Sequence, residues 1–416
     1  MNLPLLHALW AERLWSASSY PLWEALTQPT PDLSRLSPFW RARLHLMPAE
    51  LRRRMQNISP ERAESAFVTY MSRLATNFTQ DCAALPTQDH GKHATDGAVI
   101  FTSGGTRVLY YAPARRYKKS LPCFLVPSLI NRSYIMDFSE DGLVRRLTER
   151  GHACYLVDFS EPKNEERDFR YEEYVLRRLL PAALHAWRHS GAPAFFLGGY
   201  CVGGWMALAL AQRLPQKRVA GVALFGVPWN FSRVAPAFHD ALQSATDAVA
   251  ARGADGPVPG AWVAALFYAV YWPSVVRRRD RSQDKERAGR LNAWLNDGID
   301  VSMPLAKQTV CEWLGKNAPE NGKWYVGESP ASPRGMRFPL FICAGKRDAV
   351  VPLSASLPAA KACGNAQLHL YPGGHVGMMT GGKIAERCRR RLNEWMRDVV
   401  RPKRERHPPP APRAGF

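Results

Sequence analysis

The sequence predicts an α/β protein, a mostly parallel, doubly wound sheet with a second unit inserted into it. Three observations carry that expectation. Short apolar runs alternate with helix-period segments from about residue 96 onward, the rhythm of a parallel sheet covered by helices on both faces. The alternation stops after Phe225, is absent over 227–333, and resumes at Phe338. An apolar strand also runs directly into Gly199-Tyr200-Cys201-Val202-Gly203 and then a helical segment, the strand–turn–helix context of a nucleophile elbow.

Taken in order, residues 1–95 read as a helical N-terminal region, in which Trp10, Leu14, Trp15, Tyr20 and Trp23 form an apolar face. That face serves either to pack on the body or to dock a partner. A link, Asp89-His90-Gly91-Lys92-His93, leads into a core spanning 96–226 and 334–400. Ala98–Phe101 and Arg107–Tyr111 flank Ser103-Gly104-Gly105-Thr106, a hairpin signature. Strands are expected at Cys123–Val126, Ala153–Val157, Ala194–Leu197 and Val219–Phe225. The helices between them are Glu140–Arg150, Tyr171–Arg188 and Gly203–Arg213. After the interruption come strand Phe338–Ala344, helix Ser354–Ala362, strand Gln367–Tyr371 and helix Gly382–Val399. The stretch 227–333 is too long for an ordinary loop and carries its own aromatic residues, so it reads as an inserted cap. The tail 401–416, rich in proline and basic residues, is expected to be disordered.

Composition narrows the class. The 416 residues carry 56 Lys+Arg against 36 Asp+Glu, a formal charge of +20, with 46% hydrophobic residues, which excludes wholesale disorder. The eight cysteines show no C-x-x-C pair, and several sit in apolar runs, as expected of free thiols in a reducing compartment. The N-terminus lacks the basic stretch, apolar run and cleavage site of a signal peptide, so a cytoplasmic protein is expected. Gly260–Val276 is uncharged and precedes Arg277-Arg278-Arg279, yet it is shorter than the ~20 residues a membrane helix needs. It is expected to be a buried or surface-docking helix of the cap. The basic residues lie in separate runs without a nucleic-acid-binding module, so no nucleic acid partner is expected. Such runs are either solvated helix faces or an attraction for an anionic partner.

The chemistry centres on Cys201. A tight turn with glycines on either side thrusts the central side chain upward and exposes it, and a nucleophile there needs a base and an orienting carboxylate. In an α/β-hydrolase fold these follow the nucleophile in the order acid, then His, each after a later strand. Asp348 lies just after the strand ending at Ala344, and His375 lies in the Pro372-Gly373-Gly374 turn after the last strand. Asp297 is a weaker rival acid, and Asp158, which precedes the nucleophile, reads as a rim residue. Oxyanion donors are expected at the Val202 amide, which opens the elbow helix, and at the Ile130 amide in the loop after Cys123–Val126.

The residues around this constellation resemble those of the polyhydroxyalkanoate synthases. The resemblance rests on Val126-Pro127-Ser128-Leu129-Ile130-Asn131-Arg132-Ser133-Tyr134-Ile135-Met136-Asp137, Tyr155-Leu156-Val157-Asp158 and Gly199-Tyr200-Cys201-Val202-Gly203-Gly204. Trp294-Leu295-Asn296-Asp297, Asp348-Ala349-Val350-Val351-Pro352 and Gly374-His375-Val376-Gly377 extend it, so it covers about residues 118 to 398. It is closest to the short class, whose catalytic subunit works with a second subunit. It implies a cysteine that carries the growing chain, histidine as base, and aspartate assisting the monomer hydroxyl. It further implies a 3-hydroxyacyl-coenzyme A substrate, no resident cofactor or metal, homodimerisation and attachment to a polyester granule. The N-terminal region is longer than that class usually has, and the basic tail lies outside the shared core.

A cysteine suits such chemistry. Acyl transfer from coenzyme A to a thiol exchanges one thioester for another, so the activation survives for attack by a 3-hydroxyl group. Two other classes share the constellation: a cysteine-dependent depolymerase or acyl-coenzyme A thioesterase, and a non-catalytic granule protein that kept the fold. Arg277, Arg278 and Arg279 are the candidates for contact with the phosphates of coenzyme A.

Overall fold

The computed structural model describes residues 93–234 apart from 116, 118 and 119, then 256–261, 263, 285–380 and 382–401, with a few isolated positions among 58–65. The chain divides into two compact units, Met1–Gln88 and Asp89–Phe416, and the second carries the architecture below. The expected N-terminal helices, Arg277–Arg279, nearly all of Gly260–Val276 and the tail beyond Arg401 lie outside the described residues.

Ten strands are described: β1 (Ala98–Ser103), β2 (Thr106–Tyr111), β3 (Cys123–Val126), β4 (Cys154–Phe159), β5 (Phe195–Tyr200), β6 (Val219–Phe225), β7 (Tyr325–Val326), β8 (Ser329–Pro330), β9 (Leu340–Gly345) and β10 (Ala366–Tyr371). Eight form one sheet in the order β1-β2-β4-β3-β5-β6-β9-β10, while β7 and β8 pair as a separate short hairpin. Strands β1, β2 and β4 pair antiparallel, and every pairing from β4 through β10 is parallel. This is the α/β-hydrolase order. Continuous apolar runs suit the parallel strands because both faces are covered: every residue of β3, β4, β5 and β9 is buried.

The described helices are α1 (Leu143–Glu149), α2 (Tyr171–Tyr174), α3 (Leu180–Ser190), α4 (Val202–Arg213), α5 (Lys285–Asn296), α6 (Met303–Lys307), α7 (Leu353–Ala362) and α8 (Lys383–Val400). Helix α4 is buried from Gly203 through Ala211, almost all the way round, as befits the central helix behind β5. Truncating a fully enclosed side chain such as Leu208 to alanine would cost about 2–5 kcal/mol.

The sequence expectation of one helix over Tyr171–Arg188 is corrected in detail. A π-helical turn, Val175–Leu179, joins α2 to α3. Its position follows from Pro181 in the first turn of α3, which has no N–H to give and crowds the carbonyl four residues back. Likewise Glu140 and Asp141 precede α1. Asp141 instead accepts hydrogen bonds from Ser139 Oγ and from the backbone N–H of Gly382, fastening this turn to the start of α8.

The strand order reverses at β3 and β5, which opens a crevice beyond their carboxyl ends. Into that crevice comes part of the 227–333 stretch. Val258 pairs with Val301, and Asn131, in the loop after β3, pairs with Gly298. Trp294 Nε1 donates to the carbonyl of Arg132, whose guanidinium in turn reaches Asp297 at 2.9 Å and Glu161 at 2.5 Å. The Trp-Leu-Asn-Asp run therefore clamps the inserted segment onto the β3 loop.

Candidate active site

Cys201 sits between the last residue of β5 and the first of α4 with φ 54° and ψ −129°. A non-glycine residue held there is strained by about 1–3 kcal/mol, which the surrounding contacts must offset. Cys201 N–H donates to Phe225 O at 2.9 Å, and Gly204 N–H donates to Cys201 O at 2.9 Å. Glycine is needed on both sides because the backbone doubles back on itself. A Cβ on Gly199 would lie 2.4 Å from Gly204 Cα, and one on Gly203 would lie 2.0 Å from Pro127 O.

Asp348 and His375 meet at this elbow although the one follows β9 and the other follows β10. Adjacent parallel pairing of those strands brings their carboxyl-terminal turns together. His375 Nδ1 is 2.8 Å from Asp348 Oδ2, with the carboxylate side chain fully enclosed. The other carboxylate oxygen accepts from the amides of Val350 at 3.0 Å and Val351 at 2.9 Å, which fixes its orientation. Cys201 lies close enough to His375 to act on its charge. Burial opposes charge on this imidazole. The negative charge of Asp348 and then that of Cys201 outweigh it, so the imidazolium is favoured up to about 10. The Tyr200 ring lies against His375 with centroids 5.0 Å apart.

The expected oxyanion donors are placed near the nucleophile. Val202 is the first residue of α4, where an amide has no intrahelical acceptor, and Ile130 lines the same cavity as Cys201. The carbonyl of Ile130 accepts from Ile299 N–H at 3.1 Å, which holds the loop.

Two other carboxylates are engaged elsewhere. Asp297 is paired with Arg132. Asp158, read from sequence as a rim residue, is buried instead: Ser133 Oγ donates to it at 2.5 Å and Arg107 lies at 2.5 Å. Its strand, β4, pairs with β2, and that register sets Arg107 opposite it. Arg277, Arg278 and Arg279 lie outside the described residues.

Above the thiol lies a cavity of about 70 Å³, room for more than one water molecule. Apolar side chains dominate its walls, among them Phe231, Val258, Val301, Leu305 and Trp313 from the stretch interrupting the core. Val350 and Val351 line it too, so the segment whose amides orient Asp348 also supplies cavity wall. Sequence reasoning did not single out Tyr171 and Thr309, whose hydroxyls are 3.0 Å apart at this cavity. No local pattern marks them, because 138 residues separate them. Among the described residues no cluster of three or more His, Cys, Asp or Glu is arranged to hold a metal ion. The seven described cysteines are free thiols.

Such an arrangement can deprotonate a thiol, form an acyl-thiol intermediate in a largely apolar chamber, and offer amide donors to a tetrahedral oxyanion. Residues 88–146 match the family described as the N-terminus of poly-beta-hydroxybutyrate polymerase (PhaC). The chain is 24% identical over 306 residues to a poly(3-hydroxyalkanoate) polymerase subunit PhaC of Haloferax mediterranei, covering 70% of this chain and 61% of that protein. It is 22% identical over 359 residues to the subunit so named from Thiocystis violacea, covering 82% of this chain and 98% of that one. The chain thus spans about three-fifths of the haloarchaeal relative and nearly all of the other. Among solved structures, a thermophilic esterase from Thermogutta terrifontis aligns with a TM-score of 0.46 at 17% identity, over 74% of this chain and 99% of its own.

Proposed function

We propose that this chain, similar in sequence to poly(3-hydroxyalkanoate) polymerases, is itself a polyester synthase working through an acyl-enzyme on Cys201. The observation that carries the reading is a cysteine at a strained elbow, facing a histidine–aspartate pair, on the wall of a largely apolar chamber.

His375 takes the thiol proton, and the thiolate attacks the carbonyl carbon of a 3-hydroxyacyl-coenzyme A thioester. The Val202 and Ile130 amides stabilise the oxyanion. The tetrahedral species collapses with cleavage of the carbon–sulfur bond to coenzyme A, whose thiolate leaves with the proton held on His375. The chain and the enzyme are then joined by a thioester, nearly isoenergetic with the one broken. The 3-hydroxyl of a second acyl group attacks it, His375 takes the hydroxyl proton, and an ester forms downhill as the cysteine is released. Asp348 holds the imidazole in the orientation both steps need. The apolar walls keep water from the acyl-thiol, which favours transfer over hydrolysis.

In the same reading, 227–333 acts as the cap and coenzyme A enters and leaves as part of the substrate with no resident cofactor. The protein works in the cytoplasm at its granule surface as a homodimer, with a second synthase subunit. Coenzyme A release from 3-hydroxybutyryl-coenzyme A, followed together with insoluble polymer, tests the reading. Release with polymer is expected. Release without polymer means a thioesterase, and neither, even with a partner subunit added, means a non-catalytic granule protein.

A further inference from the structure

Two buried thiols touch outside the candidate active site. Cys343 lies in β9 and Cys388 in α8, and their Sγ atoms are 2.8 Å apart. The contact follows from packing, because residues two apart share a face of a strand and residues seven apart share a face of a helix. Phe341 meets Trp395 with ring centroids 5.6 Å apart, so Cys343 and Cys388 are the neighbouring pair in the same contact between sheet and helix.

The segment between these cysteines carries both groups that face Cys201. Asp348 follows β9 and His375 precedes α8, so a bond from Cys343 to Cys388, 45 positions apart, closes a loop that holds the carboxylate and the imidazole together. A second buried pair, Cys123 and Cys154, is less suited to a bond. Those residues are register partners on β3 and β4. Adjacent strands lie about 4.8 Å apart, wider than the ~3.8 Å between the Cβ atoms of a disulfide. Helix α8 is joined to β9 by side-chain packing and not by a ladder, so it can settle by the small amount a bond requires.

We propose that Cys343 and Cys388 form a dithiol–disulfide site, reduced in this structure, which a low-molecular-weight disulfide converts to an intramolecular bond that stabilises the segment bearing Asp348 and His375. The thiolate of one cysteine attacks the small disulfide, breaks its S–S bond and releases one small thiol. The second cysteine, deprotonated in turn, displaces the other half, so the two protons and two electrons lost by the protein appear in two small thiols. Burial and the neighbouring thiol push Cys343 well above its ordinary range, so exchange needs a local opening of α8 and is slow. The bond restricts the unfolded chain more than the folded one, which is the source of the stabilisation. Nothing in this depends on which acyl group Cys201 carries.

Incubation of the full-length protein with 2-hydroxyethyl disulfide, followed by acid quenching and peptide mapping without reductant, tests the site. A peptide linked through Cys343 and Cys388 is expected, ahead of any link between Cys123 and Cys154. The melting temperature should rise by roughly 5 °C and fall back with dithiothreitol. Cys388→Ala treated in the same way should show no such rise, and any effect of the reagent at Cys201 is common to both proteins. The proposal is overturned if Cys343 and Cys388 stay thiols, or carry only halves of the reagent, under conditions that modify both in the urea-unfolded protein. A link that forms first between Cys123 and Cys154 overturns it too, and a Cys343–Cys388 link with no rise in melting temperature overturns the stabilising role.

Discussion

At His375 burial and charge pull in opposite directions, and the balance decides what the residue can do. Desolvation alone would leave a neutral ring, as it does at His152, which burial holds below its ordinary value despite a 2.7 Å contact with Leu121 O. At His375 the carboxylate of Asp348 and the charge of Cys201 reverse the outcome. Because the folded value lies above the unfolded one, the stabilisation from this imidazolium is fully present below about pH 6.5 and is lost as pH rises through 10. Asp348→Asn removes the larger of the two supporting charges. The ¹⁵N resonances of His375 should then titrate at lower pH than in the wild type, and chain extension should slow more than alkylation of Cys201. An unmoved titration would mean that Asp348 does not govern the imidazole.

The elements that build the site differ in how far their own sequence announces them. The elbow was legible because its constraint is local: β5, the turn and α4 are contiguous, and glycine is required where the chain folds back. Gly203→Ala would press a methyl group against Pro127 O, a backbone atom that cannot swing aside. A loss of about 1–3 kcal/mol or more in urea unfolding is expected, together with loss of Cys201 acylation. A variant as stable and active as the wild type would mean that the β3 loop yields freely. The strand–helix rhythm was equally readable, since β3 and β6 end where their apolar runs end. The π turn before Pro181 was not, because a proline can also be met by a kink or a helix end. Nor was the burial of Asp158, which depends on the β2–β4 register bringing Arg107 across from it.

Across the molecule, the chemistry comes from segments far apart in the chain: the elbow, two later strand ends, the β3 loop and the interrupting stretch. Their order could be read from the sequence, because acid and histidine must each follow a strand after the nucleophile. The cavity could not, since its walls are joined by pairings such as Asn131 with Gly298 and by packing such as Trp313 against Trp205. No described helix is long and apolar enough to cross a membrane. The net charge of +20 belongs to the whole sequence, and the Arg277–Arg279 run that contributes to it lies outside the described residues.

In the proposed synthase Cys201 carries the acyl chain, with His375 as its base. Peptide mass spectrometry of the protein quenched in acid during turnover of 3-hydroxybutyryl-coenzyme A tests it most directly. A 3-hydroxybutyryl or oligomeric adduct should appear on the peptide containing Cys201, and should be absent in Cys201→Ala and His375→Gln. Continued coenzyme A release with the adduct on another residue, or with full turnover retained in Cys201→Ala, would mean that Cys201 does not carry the chain.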